Sequence, residues 1–292
     1  MMARYSIMIA VIILIFTGPW LPLKLFRYLQ FHLQILILQI ENSPKPIHMG
    51  SFSERLRHFR LVKKCIYAVV GVISYPGLML INKLKISGTA NLENLPRSNV
   101  LFVSNHQTYF ADVITLLHIF CAVKWGKRDR LGLPFYLLNP FTNVYYVAAE
   151  ETMKSTFLTR FFAMAGAITV KRTWISKEQG TRRGLDASDT RKISAALDSS
   201  WVITFPQGTT TPFAPGRKGT AFIIKQHRPV VMPVVIDGFR EAFDKKGLKL
   251  RKRGTLLTVN FKAPLQIDYE QSVEEILATV MKAIEQSREF EK

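Results

Sequence analysis

The stretch Leu101-Phe-Val-Ser-Asn-His-Gln-Thr-Tyr-Phe-Ala-Asp112 determines how the rest of the chain is interpreted. A mostly apolar run over residues 99–103 predicts a buried strand, and a second run over residues 113–123 is long enough for a helix. A short polar corner between them carries His106 and ends at Asp112. Because α/β proteins place ligands and catalytic groups where strands end and lead into helices, we expect function to centre on this corner.

His106 and Asp112 are the candidate catalytic residues of the corner. A neutral imidazole accepts a proton from a hydroxyl or thiol near neutral pH, and a carboxylate on the other ring nitrogen fixes the tautomer. On one continuous helix, six positions at about 100° each would place the two side chains about 240° apart. His106 therefore has to lie in the loop before the helix. A single His and Asp at this spacing also occur by chance, so the assignment depends on the rest of the chain.

Composition limits the classes of function. The 292 residues are 48% hydrophobic, enough for one large domain and an attachment segment. The formal net charge of +19 indicates an anionic partner, either nucleic acid, anionic lipid headgroups or a phosphorylated substrate. Two cysteines without a CxxC pattern and six histidines without HExxH predict neither a disulfide framework nor a metal site.

Residues 1–48 form a hydrophobic extension or membrane segment by sequence. Residues 7–21 are an almost unbroken apolar run near the length of a membrane span. A signal peptide and a soluble core helix are the alternatives, although no small-x-small cleavage site follows the run. A new composition begins at Met49, which makes an alternative start there a further possibility.

Residues 49–84 are predicted to form a membrane-associated, amphipathic helical hairpin. A basic amphipathic stretch over residues 55–64 leads into an apolar segment that Pro76-Gly77 interrupts. Proline removes a helical hydrogen bond, so we expect a kink or turn there. The flanking cations favour insertion into one leaflet, and a buried hairpin of a soluble domain is the alternative.

Residues 85–292 are predicted to be one α/β domain with a mostly parallel central sheet flanked by helices. Further strands are expected at residues 144–148, 167–170, 201–205, 230–236 and 256–261. Helical patterns over residues 151–164, 182–199, 219–225 and 272–287 alternate with these strands, and Ser272 is the expected N-cap of the last helix. Such alternation is typical of parallel, buried sheets.

Polar groups follow two other predicted strands. Arg172 comes after residues 167–170, and its planar fork suits a phosphate or carboxylate. Phe205-Pro-Gln-Gly-Thr-Thr-Thr211 follows the next strand, and its amides and hydroxyls suit an oxyanion or phosphate. Arg217 and Lys218 lie just beyond. Each feature alone is also compatible with an ordinary turn, cap or surface charge.

Taken together and in order, these motifs resemble those of the lysophospholipid acyltransferase family, which includes the glycerol-3-phosphate and lysophosphatidate acyltransferases. That family is marked by Asn-His-x4-Asp, Gly-x-x-Phe-Ile-x-Arg, Phe-Pro-Glu-Gly-Thr-Arg-Ser and an apolar strand with a Val-Pro-Val/Ile core. The counterparts in this chain are Asn105-His106 with Asp112, Gly166 with Arg172, Phe205-Pro206-Gln207-Gly208-Thr209-Thr210-Thr211, and Val231-Met-Pro233-Val-Val235. The resemblance covers about residues 60–270.

The resemblance implies a mechanism and a set of binding residues. His106, held by Asp112, would deprotonate the hydroxyl of a lysolipid such as 1-acylglycerol-3-phosphate, and the alkoxide would attack an acyl thioester on acyl-CoA or acyl carrier protein. The donor is a co-substrate, so no cofactor is expected, and the absence of a GxSxG nucleophile fits direct transfer. The residues expected to bind the acceptor or its phosphate, or to stabilise the oxyanion, are Arg172, Gln207, Gly208, Thr209, Thr210, Arg217 and Lys218.

Three departures from the family pattern affect the interpretation. Five residues rather than four separate His106 from Asp112, Gln207 replaces Glu, and Thr210 replaces the Arg linked to the acceptor phosphate. Charge-assisted hydrogen bonds are about twice as strong as neutral ones, so losing that cation matters. Either Arg172, Arg217 or Lys218 compensates, or the acceptor is a phosphate-free lyso-aminolipid.

The expected enzyme is membrane-associated, with its active site on the cytoplasmic face. Basic segments at residues 124–128 and 245–253 would face anionic headgroups, acyl carrier protein or CoA phosphates, or be solvated loops. A nucleic-acid-binding protein is the rival suggested by charge, but the chain has no RRM, KH or helix-turn-helix signature. A noncatalytic lipid-binding relative and a lipid hydrolase are two further rivals.

Overall fold

The computed structural model describes residues 52–154, 157–170 and 187–291. The chain divides into two compact units, residues 1–61 and 62–292. Of the first unit only residues 52–61 are described, so the predicted segment over residues 1–48 lies outside the described residues. Arg172 also lies outside them.

The predicted hairpin over residues 49–84 is wrong where the structure describes it, because Phe52–Met79 is one α-helix (α1) that contains Pro76. Pro76 lies in the last turn, so α1 loses the hydrogen bond that an N–H at this position would donate to the Val72 carbonyl, and only three helical residues follow it. Its carbonyl accepts hydrogen bonds from the amides of Leu80 and Ile81 as the helix ends. Within the described residues, Arg60–Met79 is long and apolar enough to cross a membrane by length and composition.

A seven-stranded sheet forms the centre of the second unit. Its strands are β1 (Lys83–Ser87), β2 (Val100–Ser104), β3 (Val144–Ala149), β4 (Ala167–Val170), β5 (Trp201–Thr204), β6 (Val230–Asp237) and β7 (Leu256–Phe261), in the spatial order β1-β7-β6-β2-β5-β3-β4. Every neighbouring pair is parallel except β6 and β7. The predicted α/β class with a mostly parallel sheet is confirmed.

Helices connect the strands. They are α2 (Ala111–Lys124), α3 (Glu150–Lys154), α4 (Phe157–Ala163), α5 (Ala187–Ser199), α6 (Lys218–His227), α7 (Phe239–Ala242) and α8 (Val273–Ala283). Short 3-10 helices lie at Thr89–Leu92, Pro134–Leu138 and Arg288–Phe290. The predicted N-cap of α8 is confirmed, because the Ser272 hydroxyl accepts from the Glu275 amide and Glu275 completes a capping box.

Alternate residues of β2 point into two different apolar layers. Leu101 and Val103 belong to a buried cluster that includes residues of α5, α6 and α8. Phe102 faces the other way and packs against Phe120 of α2, with the ring centroids 4.7 Å apart. All five residues of β2 are buried, as expected for a central strand covered by helices on both faces.

The connections that leave β2 and β5 run in opposite directions across the sheet. The connection through α2 takes the chain from β2 past β5 to β3, whereas the connection through α6 takes it from β5 past β2 to β6. A crevice forms at such a switch point, outside the carboxyl ends of the strands, and open α/β sheets bind ligands there. The loops that follow β2 and β5 are those that carry His106 and Phe205.

Candidate active site

His106 and Asp112 form a hydrogen-bonded pair at the carboxyl end of β2. His106 Nδ1 lies 2.9 Å from Asp112 Oδ2, and the side chains are 13% and 0% exposed. His106 is in the loop, as predicted, and Asp112 is in the first turn of α2. A carboxylate only accepts hydrogen bonds, so Nδ1 carries the proton and Nε2 has the free lone pair that a general base needs.

Asp112 also organises the loop that precedes it. Its Oδ2 accepts the backbone amides of Gln107 at 2.6 Å and Thr108 at 3.0 Å, and its Oδ1 accepts the Thr108 hydroxyl at 2.7 Å. The carboxylate is buried, and these donors replace the water it loses. The five-residue gap between His106 and Asp112 is therefore accommodated by a loop wrapped around the carboxylate.

The imidazole of His106 is stacked on the ring of Phe205, which follows β5. The ring centroids are 3.9 Å apart and the planes differ by 21°. With Nδ1 held by Asp112 and one ring face covered by Phe205, the orientation of Nε2 is fixed from two sides. The stack also joins the β2 and β5 loops at the switch point.

Two amide side chains attach the His106 loop to the neighbouring strand β6. Asn105 is buried, and its side chain both donates to the Ile236 carbonyl and accepts from the Ile236 amide, each at 2.8 Å. Gln107 donates to Asp237 at 2.9 Å and accepts from the amides of Phe239 and Arg240 at 2.8 and 3.2 Å. Both side chains therefore hold the loop of His106 in place, and this role does not require contact with a substrate.

The loop after β5 is a compact turn beside this pair. The Gly208 amide donates to the Phe205 carbonyl at 2.9 Å, and Gly208 has φ +62. A Cβ at Gly208 would come within 2.8 Å of the Arg217 guanidinium, which therefore lies directly over the turn. The Thr209 hydroxyl lies 3.2 Å from that of Thr211.

The family of the chain follows from its sequence. Residues 87–237, just over half of the chain, match the family model described as Acyltransferase. The chain belongs to the acyltransferase family. This confirms the family resemblance drawn from the motifs, and it identifies the protein as an enzyme.

The acyltransferase was also compared with solved structures and with curated proteins. It is similar to the crystal structure of the 1-acyl-sn-glycerophosphate (LPA) acyltransferase PlsC from Thermotoga maritima, at 17% sequence identity and a TM-score of 0.45, covering 89% of this chain and 88% of that chain. No curated protein sequence matches.

Two predicted binding residues of the acyltransferase have partners inside the fold. Gln207 is 2% exposed, and its amide nitrogen donates to the Ala214 carbonyl at 3.0 Å and to Gln286 Oε1 at 3.1 Å. Lys218 is exposed and pairs with Glu274 of α8. Gln207 thus closes the loop that follows β5, and Lys218 forms an ion pair with a carboxylate.

The remaining motif residues lie in the framework or outside the described residues. Gly166 has φ +114 and precedes β4, where a Cβ would come within 2.7 Å of Lys63 Nζ. It is therefore at the amino end of its strand, away from the carboxyl ends of the strands, where His106 and Asp112 lie. Pro206 accepts the Arg217 amide at 2.8 Å, and Pro233 lies opposite Val103 in the pairing of β6 with β2.

The sequence identifies residues 245–253 as a basic segment, but it does not predict that the segment after β6 packs against the loop that carries His106. The amides of Tyr109 and Phe110 donate to the carbonyls of Lys245 and Lys246 at 3.1 and 3.0 Å. Gly247, at φ +75, approaches so closely that a Cβ would lie 2.5 Å from the Ala111 amide nitrogen. The sequence of this segment predicts a turn, but it does not indicate which loop the turn contacts.

Asp244 builds the turn that presents Gly247. Its Oδ1 accepts the amides of Leu248 and Lys249 at 2.8 and 2.9 Å. Burial by itself raises the pKa of Asp244, but the hydrogen bonds from backbone amides, that of Lys249 foremost, outweigh it and hold the pKa below its ordinary value. The carboxylate is therefore ionised at neutral pH and keeps the turn closed.

Arg240 is the second residue that was missed. Its backbone amide belongs to the Gln107 contact described above, and its guanidinium donates to the Thr210 carbonyl at 2.5 Å. The guanidinium thus reaches the position where the family pattern has Arg and this chain has Thr. Within the described part of the chain, no carboxylate forms an ion pair with it.

Proposed function

We propose that this acyltransferase transfers a fatty acyl group from an acyl thioester to the hydroxyl of a lysolipid, such as a 1-acylglycerol-3-phosphate. The observation that carries the proposal is the bond between His106 and the fully buried Asp112, beside Phe205 at the switch point of the sheet. A general base for a hydroxyl has to be held in one tautomer with its second nitrogen free, and this arrangement meets both conditions.

The reaction requires one proton acceptor and no covalent enzyme intermediate. His106 Nε2 takes the hydroxyl proton as the oxygen attacks the thioester carbonyl, and the resulting tetrahedral intermediate carries an oxyanion. Collapse of the intermediate breaks the C–S bond, and the imidazolium returns the proton to the departing thiolate. The products are the ester and a free thiol. Asp112 favours the imidazolium that exists between these two proton transfers.

The donor is an acyl thioester of coenzyme A or of acyl carrier protein. A thioester is already activated, so the hydroxyl oxygen can attack it directly once deprotonated. The basic segment over residues 245–253 supports a polyanionic donor or an anionic carrier protein, because it packs against the catalytic loop through Lys245 and Lys246.

The acceptor is a lysolipid with an anionic headgroup. Arg217 lies over the Gly208 turn, and Arg240 lies at Thr210, so two guanidinium groups border the loop that follows β5. A guanidinium suits a phosphate through its planar set of donors. They offer the positive charge that the Thr210 position lacks. A lyso-aminolipid without a phosphate is the alternative. It is favoured by Thr210, which stands where the family pattern has Arg.

The proposed enzyme works at a membrane surface, with its active site on the cytoplasmic face. The apolar helix Arg60–Met79 supports membrane association, since it has the length and composition of a membrane segment. Both the lysolipid acceptor and the diacyl product are membrane lipids, so attachment would keep the enzyme at its substrate.

The test is acyl transfer by the purified full-length protein in mixed micelles. Labelled acyl-CoA and acyl-acyl carrier protein would each be offered with lysophosphatidate, glycerol 3-phosphate or a lyso-aminolipid, and products identified by mass spectrometry. We expect His106→Ala to lower kcat about 10²- to 10⁴-fold, the usual contribution of a general base. Asp112→Asn should fall in the same range.

A matched control separates catalysis from folding. His227→Ala removes a partly buried histidine that contacts Ser194 at 2.7 Å and lies at the end of α6. It should retain wild-type activity. Full activity of His106→Ala would exclude the general-base assignment. Binding of lysolipid without turnover by the wild-type protein, under every donor, would favour a noncatalytic lipid-binding protein.

A further inference from the structure

The connection between α2 and β3 exposes large apolar side chains that the fold does not use. Trp125 is 43% exposed, Leu133 66%, Phe135 62% and Leu138 81%. In the 3-10 helix Pro134–Leu138, side chains three positions apart lie on the same face, so Phe135 and Leu138 project together. Tyr136 and Leu137 between them are buried. The 3-10 helix thus buries one side against the protein and turns a second, apolar side away from it.

Cations surround this apolar side. Lys127 and Arg130 line the same surface depression as Trp125, Leu133 and Phe135. Arg128 pairs with Glu93, whereas Lys127 and Arg130 form no ion pair with any described residue. Apolar and aromatic side chains next to unpaired cations are the composition of surfaces that bind anionic lipid interfaces.

The same surface is continuous with the apolar helix α1. The Tyr75 hydroxyl donates to the Gly132 carbonyl at 2.7 Å, and Gly71 packs so closely on Leu137 that a Cβ there would lie 2.5 Å from a Leu137 methyl. The segment Arg60–Met79 is only 28% buried in its most apolar window. Its uncovered side and the exposed side of the 3-10 helix therefore belong to one part of the molecule.

We propose that Trp125, Lys127, Arg130, Leu133, Phe135 and Leu138 form a membrane-docking surface, which inserts its apolar side chains among the lipids of an anionic bilayer. Lys127 and Arg130 then contact headgroup phosphates at the rim. A lipid occupant is favoured over a protein partner because the surface adjoins α1 and because its free charges are all positive. Trp125 follows the end of α2 opposite Asp112, about 20 Å away at 1.5 Å per helical residue, whereas the 3-10 helix packs beside the middle of α2, where the Tyr136 hydroxyl lies 2.8 Å from His118 Nδ1.

The test is the depth of a probe at Leu138 in the full-length protein. Leu138→Cys is labelled with an environment-sensitive fluorophore in a Cys65→Ala background, since Cys121 is buried and unreactive to the label. The control is Phe222→Cys, at a side chain that is 59% exposed on α6. Both proteins are reconstituted into phosphatidylcholine vesicles with and without phosphatidylglycerol, containing doxyl-labelled lipid as the quencher.

We expect the Leu138 probe to be quenched several-fold more than the Phe222 probe, and more strongly in vesicles with phosphatidylglycerol. Lys127→Glu with Arg130→Glu should reduce the quenching at Leu138 to its level in phosphatidylcholine alone. Lys282→Glu with Arg288→Glu, at exposed positions elsewhere, should not change it. Equal quenching at Leu138 and Phe222, or none at Leu138, overturns the proposal.

A second outcome that overturns the proposal is shielding by protein. If the Leu138 probe is shielded from soluble quencher in detergent and crosslinks to a second copy of the chain, the surface is a protein interface. None of these measurements depends on acyl transfer, so the docking surface and the proposed function can fail independently.

Discussion

Substitution of Gly247 by alanine tests whether the segment after β6 positions His106 and Asp112, the proposed catalytic pair. The added Cβ would lie 2.5 Å from the Ala111 amide nitrogen and 2.7 Å from Thr108 Oγ1, whereas real Cβ contacts stay beyond about 3.0 Å. The Thr108 hydroxyl bonds Asp112, and Ala111 starts α2. The new methyl group therefore pushes on both supports of the carboxylate that holds His106.

The magnitude follows from the displacement that the contact requires. The loop has to open by about 0.5 Å to restore a normal contact, and a misplacement of about 1 Å in an active site can lower the rate 10²-fold. We expect kcat of Gly247→Ala to fall about 10- to 10²-fold at saturating acceptor. Any residue other than glycine also costs about 1–2 kcal/mol in the left-handed conformation, so stability should fall as well.

Gly254→Ala is the matched control, because Gly254 has φ +71 and a Cβ there would meet nothing within 4 Å. Gly254→Ala therefore has the energetic cost of the left-handed conformation but makes no steric contact. Activity of both variants is measured by thioester-dependent acylation of lysolipid, well below their melting temperatures in the same detergent. Gly254→Ala should lose stability and keep its kcat. Equal loss of kcat in the two variants, or wild-type kcat in Gly247→Ala, would refute the reasoning.

Substitutions at three further positions test separate contacts. Arg240→Gln should raise KM about tenfold for a phosphate-bearing acceptor, since a charged hydrogen bond is worth about 1.5–3 kcal/mol. The same variant should leave KM for a neutral-headgroup lysolipid unchanged. Arg240→Lys should give an intermediate KM for the phosphate-bearing acceptor. Gln207→Glu should lower the free energy of unfolding by about 1–3 kcal/mol in urea titrations, because a carboxylate would face the Ala214 carbonyl and Gln286 Oε1, which accept hydrogen bonds from the present amide. Burial lowers the pKa of His118 to about 4, so between pH 6.5 and 4 the imidazole stays neutral in the folded protein but is protonated in the unfolded chain. The free energy of unfolding should therefore fall by roughly 3 kcal/mol as the pH drops from 6.5 to 4. His118→Gln should remove this pH dependence of the free energy of unfolding.

The features of the fold that could be predicted are those written in short, continuous stretches of sequence. The strand β2 is an apolar run with every residue buried, and the polar corner after it contains the hydrogen-bonded pair His106 and Asp112. Ser272 and Glu275 form the predicted cap because their spacing alone determines the contact. Parallel pairing then brings the loops after β2 and β5 to the same edge.

Pro76 shows where a local rule depends on position. Proline interrupts a helix in its interior, and on this basis the sequence predicts a turn and a returning helix. In the structure Pro76 lies three residues before the end of α1, so it marks the helix end and no second helix follows before β1. The sequence identifies the residue that disturbs the helix but does not determine how much helix remains after it.

The contacts that were missed depend on residues far apart in the chain. Gly247 touches a loop more than 130 positions earlier, and its neighbours signal only a turn. The side chain of Gln207 points into the fold, although the resemblance suggested a binding role, because sequence does not reveal which side of a loop faces the ligand. Contacts of this kind become visible only once the tertiary structure places the loops together.

The loop wrapped around Asp112 has a consequence for how related enzymes are recognised. A gap of five residues between the histidine and the acid is accommodated here because the amides of Gln107 and Thr108 turn back onto the carboxylate. A motif search that fixes this gap at four would pass over the present protein. Chains with longer gaps are therefore worth inspecting for an amide-lined acid before they are counted as inactive.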